Sequence, residues 1–388
     1  YCSKESKLIM QNFDETGQGE QYLTVTEAFQ FHESTSGQTA GQMVKNKGST
    51  ATKIERDVKT FESYKKFNID SIEVNPLPVD HSITGVHGFV LHTSSGTIAN
   101  TADLRFHGRR PKETEKFVEG CAESSVDLML CEGTRIAAQP SMTEFDIEDK
   151  LVELINETKN LVACGYPVRD LDRLQSFYLA AKKTGRYLVI EPKQAYLLKL
   201  FRDEFGESSP YPDPQDSSIK VYMQKGEWGL IDKDINVYTR KLLDEDYKKW
   251  ARPFLDYPNV VDYRDVSGKQ SEMLFTLNDY KIQELIDIKP KENSGYIRSL
   301  TEPFNDEMEF RQERFKNWFV KFGLINNDKD WHAVHVSGHG DGEQIKRVID
   351  GANAKKIIPI HTDPENEVYH KKWHSNVQSV ERGETATI

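Results

Sequence analysis

The sequence predicts an α/β protein of more than one domain. Three observations lead there. The chain has 388 residues, more than one typical domain needs. Roughly its first third carries short apolar runs bounded by Gly, Pro and Ser, the pattern of half-buried strands. Its middle alternates strand-like and helix-like segments, the sequence form of parallel crossovers.

In order, Ile72 to Val79, Gly88 to Thr93 and Thr97 to Asn100 read as strands, and Lys112 to Ala122 as a helix leading into the strand Leu128 to Leu130. An amphipathic helix is expected over Glu144 to Thr158, followed by a buried strand, Asn160 to Pro167. A helix from Asp170 to Ala181 and the strand Tyr187 to Ile190 complete a strand–helix–strand unit, with Gly185 between them. Residues Arg202 to Ser218 form a Pro-, Asp- and Ser-rich surface loop. Strands then recur at Met273 to Thr276 and Gly295 to Leu300. The tail offers a strand over Trp331 to His335, a helix over Asp341 to Gly351 and a strand over Lys356 to His361.

A hydrophobic content of 37% beside 29% charged residues, with no apolar window of membrane length, excludes a membrane-spanning helix. The four cysteines fall singly, which argues against a disulfide framework and for a cytoplasmic protein. A net charge of -11 excludes a general nucleic-acid coat, since phosphate affinity comes largely from clustered Lys and Arg. A local basic groove remains compatible with it. The run Arg105-Phe106-His107-Gly108-Arg109-Arg110-Pro111-Lys112 is the candidate, with a solvated charge run as the competing reading.

The chemistry-bearing stations are Val79-Asp80-His81-Ser82, Thr101-Ala102-Asp103, Cys131-Glu132-Gly133-Thr134, His335-Val336-Ser337-Gly338-His339 and Pro359-Ile360-His361. Each alone has a bland explanation as a packed or solvated side chain. Together, in this order and at the ends of strands, they resemble the later motifs of the metallo-β-lactamase fold nucleases of the β-CASP family, ribonuclease J-like proteins in particular. The resemblance covers nearly the whole chain. It implies a metallo-β-lactamase αββα sandwich with an inserted parallel-sheet β-CASP domain, divided as 1–145, 146–330 and a return over 331–388.

The resemblance further implies a metal-dependent ribonuclease that takes RNA between its domains and uses two divalent ions, zinc or manganese. His81, Asp103 and His361 would be metal ligands, with Asp103 bridging. Glu132 would orient a metal-bound histidine through its second ring nitrogen, and His339 would serve as hydrogen-bond donor or acid. His335, Ser337 and the backbone at Gly338 would contact the phosphate. The family's usual glycine before the bridging aspartate is Ala102 here.

The family's first metal motif, HxHxDH, is not found in the sequence and is expected on the N-terminal side of Tyr1. Without it, His81, Asp103 and His361 are too few for two four-coordinate sites, so this chain alone is expected to bind metal weakly and be inactive. A catalytically silent RNA-binding relative and a small-molecule hydrolase are the competing readings, and a homodimer stays open. His107 and His370 have no motif support and read as structural or solvated.

Overall fold

Two sheets organise the chain, and the ends of their strands place the site. The computed structural model describes residues 1–388 except 18–21, 27–30, 36–39, 46–52, 141, 227, 230–238, 279 and 327–329. The first sheet has six strands in the spatial order 356–360, 128–132, 96–100, 87–93, 72–78, 67–69. Its strands from Phe67 to Asn100 are antiparallel neighbours, as the short turns between them require. The last three run parallel, the helix Pro111–Glu123 forming the crossover between 96–100 and 128–132. Asn100, Glu132 and Ile360 therefore end side by side at one edge of the sheet, where α/β proteins collect their sites.

The apolar residues of these strands explain the layering. Val90, Ala99, Met129 and Ile357 are buried with Phe117 and Cys121 of the crossover helix and with Ile345, Val348 and Ile349 of the helix Gly342–Ala352. The described residues also include three two-stranded pairs, 2–3 with 60–61, 24–26 with 53–55 and 31–33 with 43–45.

The second sheet has seven strands, all parallel, ordered 260–261, 219–222, 187–190, 273–276, 162–165, 295–298, 332–333. Alternate residues feed two separate cores. Val162, Cys164, Leu188, Ile190 and Leu274 pack toward one face, Ala163, Val189, Met273 and Phe275 toward the other. A parallel sheet covered on both faces needs such near-continuous apolar strands, which is how they read in sequence.

Local signals set the helix starts. Thr143 and Asp146 form a capping box ahead of Glu144–Glu157, and Asp170 caps Leu171–Thr184, which ends at Gly185 in the left-handed region at φ 70°. His332–Ala333 pairs with Ile297–Arg298, so the chain leaves this sheet after residue 333, and the strand expected over Trp331 to His335 is only two residues long. No described helix is long and apolar enough to cross a membrane.

Candidate metal centre

Four side chains converge at the shared edge of the first sheet. Single donor atoms of Asp103, Glu132, His339 and His361 all lie within 4.8 Å of one another. The backbone explains the convergence. Thr101 N–H donates to Leu130 O at 3.0 Å, Ala102 N–H to Asn100 Oδ1 at 2.8 Å and Leu104 N–H to Glu132 Oε1 at 2.6 Å. These bonds fold residues 100–104 into a tight turn against the end of the neighbouring strand. Register puts Ile360 opposite Glu132, so His361 arrives next to it. His361 Nδ1 is 3.0 Å from Asp103 Oδ1 and 2.9 Å from Thr134 Oγ1.

Glu132 is fully buried, and its partner is His339, whose Nδ1 is 3.0 Å from Oε2. The resemblance implies such a histidine partner for Glu132 without saying which one it is. The structure supplies it from the loop before Gly342–Ala352. Burial alone would lower the His339 pKa, but the hydrogen bond and charge of Glu132, with Asp103, outweigh it and hold the ring above its ordinary value.

His81 stands beside this group, its ring centroid 5.2 Å from that of His339. Its Nδ1 is 2.6 Å from Gly338 O, which fixes the ring and leaves Nε2 as the nitrogen suited to a ligand. Burial first pushes its pKa down to about 4. Gly338 is required by this approach, because a Cβ there would stand 2.7 Å from His81 Cε1 and 2.6 Å from Ser82 Oγ.

Two expected phosphate contacts have other tasks. Ser337 is 9% exposed, its Oγ accepts from His339 N–H at 3.1 Å, and its carbonyl is taken by Arg105 and His107, so it shapes the loop. His335 is turned to Arg173, with Nδ1 3.3 Å from the guanidinium. It belongs to the interior between the sheets.

The basic run after Asp103 is also corrected. Arg105 is fully buried, paired with Asp80 at 3.2 Å, Glu144 at 3.4 Å and Asp172 at 3.6 Å. Arg109 binds Glu148 at 2.7 Å, and Arg110 pairs with Asp172 while donating to His81 O at 3.0 Å. These cations are spent on the carboxylates of Asp80, Glu144, Glu148 and Asp172 and are not free to track a phosphate chain. Arg173, also buried, grips Glu144 through Nη2 at 2.8 Å and Nε at 3.1 Å. The network joins the two domains and holds the 334–339 loop by its carbonyls.

Several positioning residues were missed in sequence. Asp80 is buried beside His81 and accepts from Arg110 N–H at 3.0 Å. His107 Nε2 meets Ser337 O at 2.9 Å, and His370, fully buried, meets Glu132 O at 3.2 Å. Asp80 stood inside a quoted motif, whereas His107 and His370 carried no local signal.

Two expected outcomes arise here. Ala102 sits at φ 49°, a region that costs a residue with a Cβ about 1–2 kcal/mol. Ala102→Gly is therefore expected to stabilise the fold by about 0.5–1 kcal/mol after the greater chain entropy of glycine is counted, read as a rise in urea midpoint. A fall in midpoint would refute the strain. His335, pushed down to about 3 by burial and then by the Arg173 charge, returns to 6.5 on unfolding. Below pH 6.5 the unfolded chain therefore binds a proton that the folded chain does not, and His335 lowers stability by up to about 1.4 kcal/mol per pH unit until about pH 3. Urea titrations from pH 6 to 4 should show a shallower slope for His335→Leu, and an unchanged slope would overturn the assignment.

The fold is that of a divided α/β molecule of metallo-β-lactamase type, with an acid–histidine cluster at the carboxyl ends of its strands. Residues 330–384 match the family described as Zn-dependent metallo-hydrolase RNA specificity domain. The chain is similar in sequence to ribonuclease J proteins. It is 20% identical over 352 residues to ribonuclease J of Sinorhizobium meliloti, covering 89% of this chain and 56% of that protein. Against ribonuclease J of Pyrococcus abyssi it is 22% identical over 301 residues, covering 75% and 59%. The chain thus spans little more than half the length of these curated relatives. A crystal structure of a protein of unknown function from Enterococcus faecalis V583 shares the fold, with TM-score 0.61 and 22% identity over 85% of this chain and 67% of that one.

Proposed function

We propose that the protein is a metal-dependent ribonuclease, hydrolysing RNA phosphodiester bonds in the cleft between its two domains. One observation carries the reading. His339, within the segment matching the RNA specificity domain, is bonded to Glu132 at the strand end of the first sheet and packs 5.3 Å, ring to ring, from His361.

The donor set fits a divalent ion. Two imidazoles and two carboxylates suit zinc, with manganese the alternative. Ligands held about 2.0–2.2 Å from a tetrahedral ion stand about 3.4 Å from each other. The 3.0 Å pair Asp103–His361 is already near that spacing. Asp103, His361, His339 and Glu132 would hold a divalent ion, and His81 stands beside them, with the charge of Asp103 reaching both His81 and His339. When bound, such an ion supplies an acidified water and a Lewis acid at the phosphate. The chain's own groups do the placing. Glu132 holds His339 by Nδ1, which leaves Nε2 as its ligand nitrogen. Thr134 and Asp103 fix the ring of His361.

Cleavage of labelled single-stranded RNA by the purified full-length protein, abolished by EDTA and restored by zinc or manganese, is the expected result. RNA bound but not cut in the presence of metal would favour a silent RNA-binding relative. Turnover of a lactone or thioester without RNA cleavage would move the protein to the small-molecule hydrolases.

A further inference from the structure

The parallel sheet of the second domain carries a cation beyond the carboxyl end of each of three neighbouring strands. Arg169 follows Val162–Gly165, Lys281 follows Met273–Thr276, and Lys193 follows Tyr187–Ile190 in the first turn of the helix Pro192–Phe205. Side-chain bonds draw these loops together. Asn12 Oδ1 accepts from Arg169 Nε at 3.1 Å while Asn12 Nδ2 donates to Lys193 O at 3.0 Å, and Lys281 Nζ stands 2.8 Å from Glu191 Oε2. Lys248 comes in with the run Lys248-Lys249-Trp250, the Trp250 ring lying 5.9 Å between centroids from Tyr196 of the same helix. The carboxylate that meets the group, Glu191, is already taken by Lys281 and Asn278. The ammonium groups of Lys193 and Lys248 have no hydrogen bond or ion pair among the described residues. Burial, and after it the charges of Arg169, Lys281 and Lys248, hold the Lys193 pKa below its ordinary value. Tyr280, 80% exposed, stands beside Lys281 in the chain.

The same edge of the sheet leads to the acid–histidine cluster. His332–Ala333 is the outermost strand on that side, and the chain passes from its carboxyl end into the 334–339 loop that carries His339. Strands spaced about 4.8 Å put the ends of Met273–Thr276 and Tyr187–Ile190 about 14–19 Å across the sheet from that loop. We propose that Arg169, Lys193, Lys248 and Lys281 form a track for the phosphate backbone of a single-stranded RNA whose scissile bond lies at the acid–histidine cluster, with Tyr280 offering its ring to one base. Ammonium and guanidinium groups on separate loops hold backbone charge without reading sequence, and an exposed ring accepts any base by its flat face. The position agrees with the topology, since ligands of parallel α/β sheets sit beyond the carboxyl ends of the strands. It also gives a protein of net charge -11 the local basic surface that polynucleotide binding needs, which the buried and paired arginines of the run 105–112 do not supply. The inference deepens the ribonuclease reading and rests on it for the identity of the polymer.

The test is the affinity of a labelled single-stranded RNA for the full-length protein in EDTA, measured by fluorescence anisotropy over a series of salt concentrations. Wild type is compared with the double variant Lys193→Gln with Lys248→Gln, and with Lys193→Arg, Tyr280→Ala and Lys355→Gln. Thermal melts confirm that each variant folds. Each single-strand phosphate contact carries about 0.7 of the slope of log affinity against log salt, so the double variant is expected to lose about 1.4 of slope and about 25-fold in affinity at ~0.1 M salt. Tyr280→Ala is expected to weaken binding about ten-fold, within the range for base–aromatic stacking, with the slope unchanged. Lys193→Arg keeps the charge and should match the wild type. Lys355→Gln removes a charge at the amino end of Lys356–Ile360, away from the track, and should match it too. A double variant that binds as tightly as Lys355→Gln, with the same slope, would overturn the track. Inorganic phosphate bound by the wild type and lost in the double variant, with RNA affinity unchanged, would make the cluster a small-anion site and overturn it as well. RNA held with the expected dependence but left uncut once zinc or manganese is added would sink the ribonuclease reading and leave the track standing.

Discussion

Replacing Arg173 by Met is expected to cost about 3–5 kcal/mol, the loss typical of breaking a buried pair by removing one partner. Arg173 is fully buried and grips both oxygens of Glu144, itself fully buried. Burial would raise the Glu144 pKa, yet the charge and hydrogen bond of Arg173 outweigh it and take the carboxyl down to about 2. Without Arg173 that carboxylate keeps Arg105 at 3.4 Å but loses its stronger partner, and Asp170 loses the one cation that most favours its charge. The double variant Arg173→Met with Glu144→Gln should recover much of the loss, because an uncompensated charge costs more than an absent pair. Urea unfolding of wild type, both singles and the double closes the cycle. A single-variant loss below about 1 kcal/mol would show that the network does not hold the domains together.

The same comparison shows what could be read without a structure. Strand and helix periods were legible because burial repeats locally. Tyr187–Ile190 and Met273–Thr276 lie where their apolar runs predict, and the helix expected from Asp341 starts at Gly342 with Asp341 as its cap. Site residues at strand ends were legible as types, and Asp103, Glu132, His339 and His361 do meet. Their partnerships were not. Glu132 and His339 are 207 residues apart, and nothing local says that one carboxylate serves the other. The run after Asp103 shows the limit most plainly. Its arginines look alike in sequence whether they face solvent or the interior, and the arrival of Asp80, Glu144, Glu148 and Asp172 decides between the two. His332–Ala333 fails for a related reason: two residues of strand cannot reveal which sheet they will join.

Asp103→Asn separates a site kept for chemistry from one kept for stability, because it is expected to move the two in opposite directions. The substitution preserves shape and removes one of the four converging donors together with its charge. Divalent-ion affinity should fall by about 100-fold or more, since even partners behind a ligand are worth 10–100-fold. RNA hydrolysis should fall by about three orders of magnitude, the scale on which preorganised charge stabilisation operates. The metal-free protein should be no less stable, and by a small margin more so, because Asp103 and Glu132 both bring carboxylate oxygens within 4.8 Å of each other and that crowding is relieved. Isothermal titration with zinc and a urea melt in EDTA read the two effects independently of turnover. A variant that binds zinc as the wild type does yet unfolds more than about 1 kcal/mol sooner would identify the cluster as structural support. The metal would then have to be sought elsewhere.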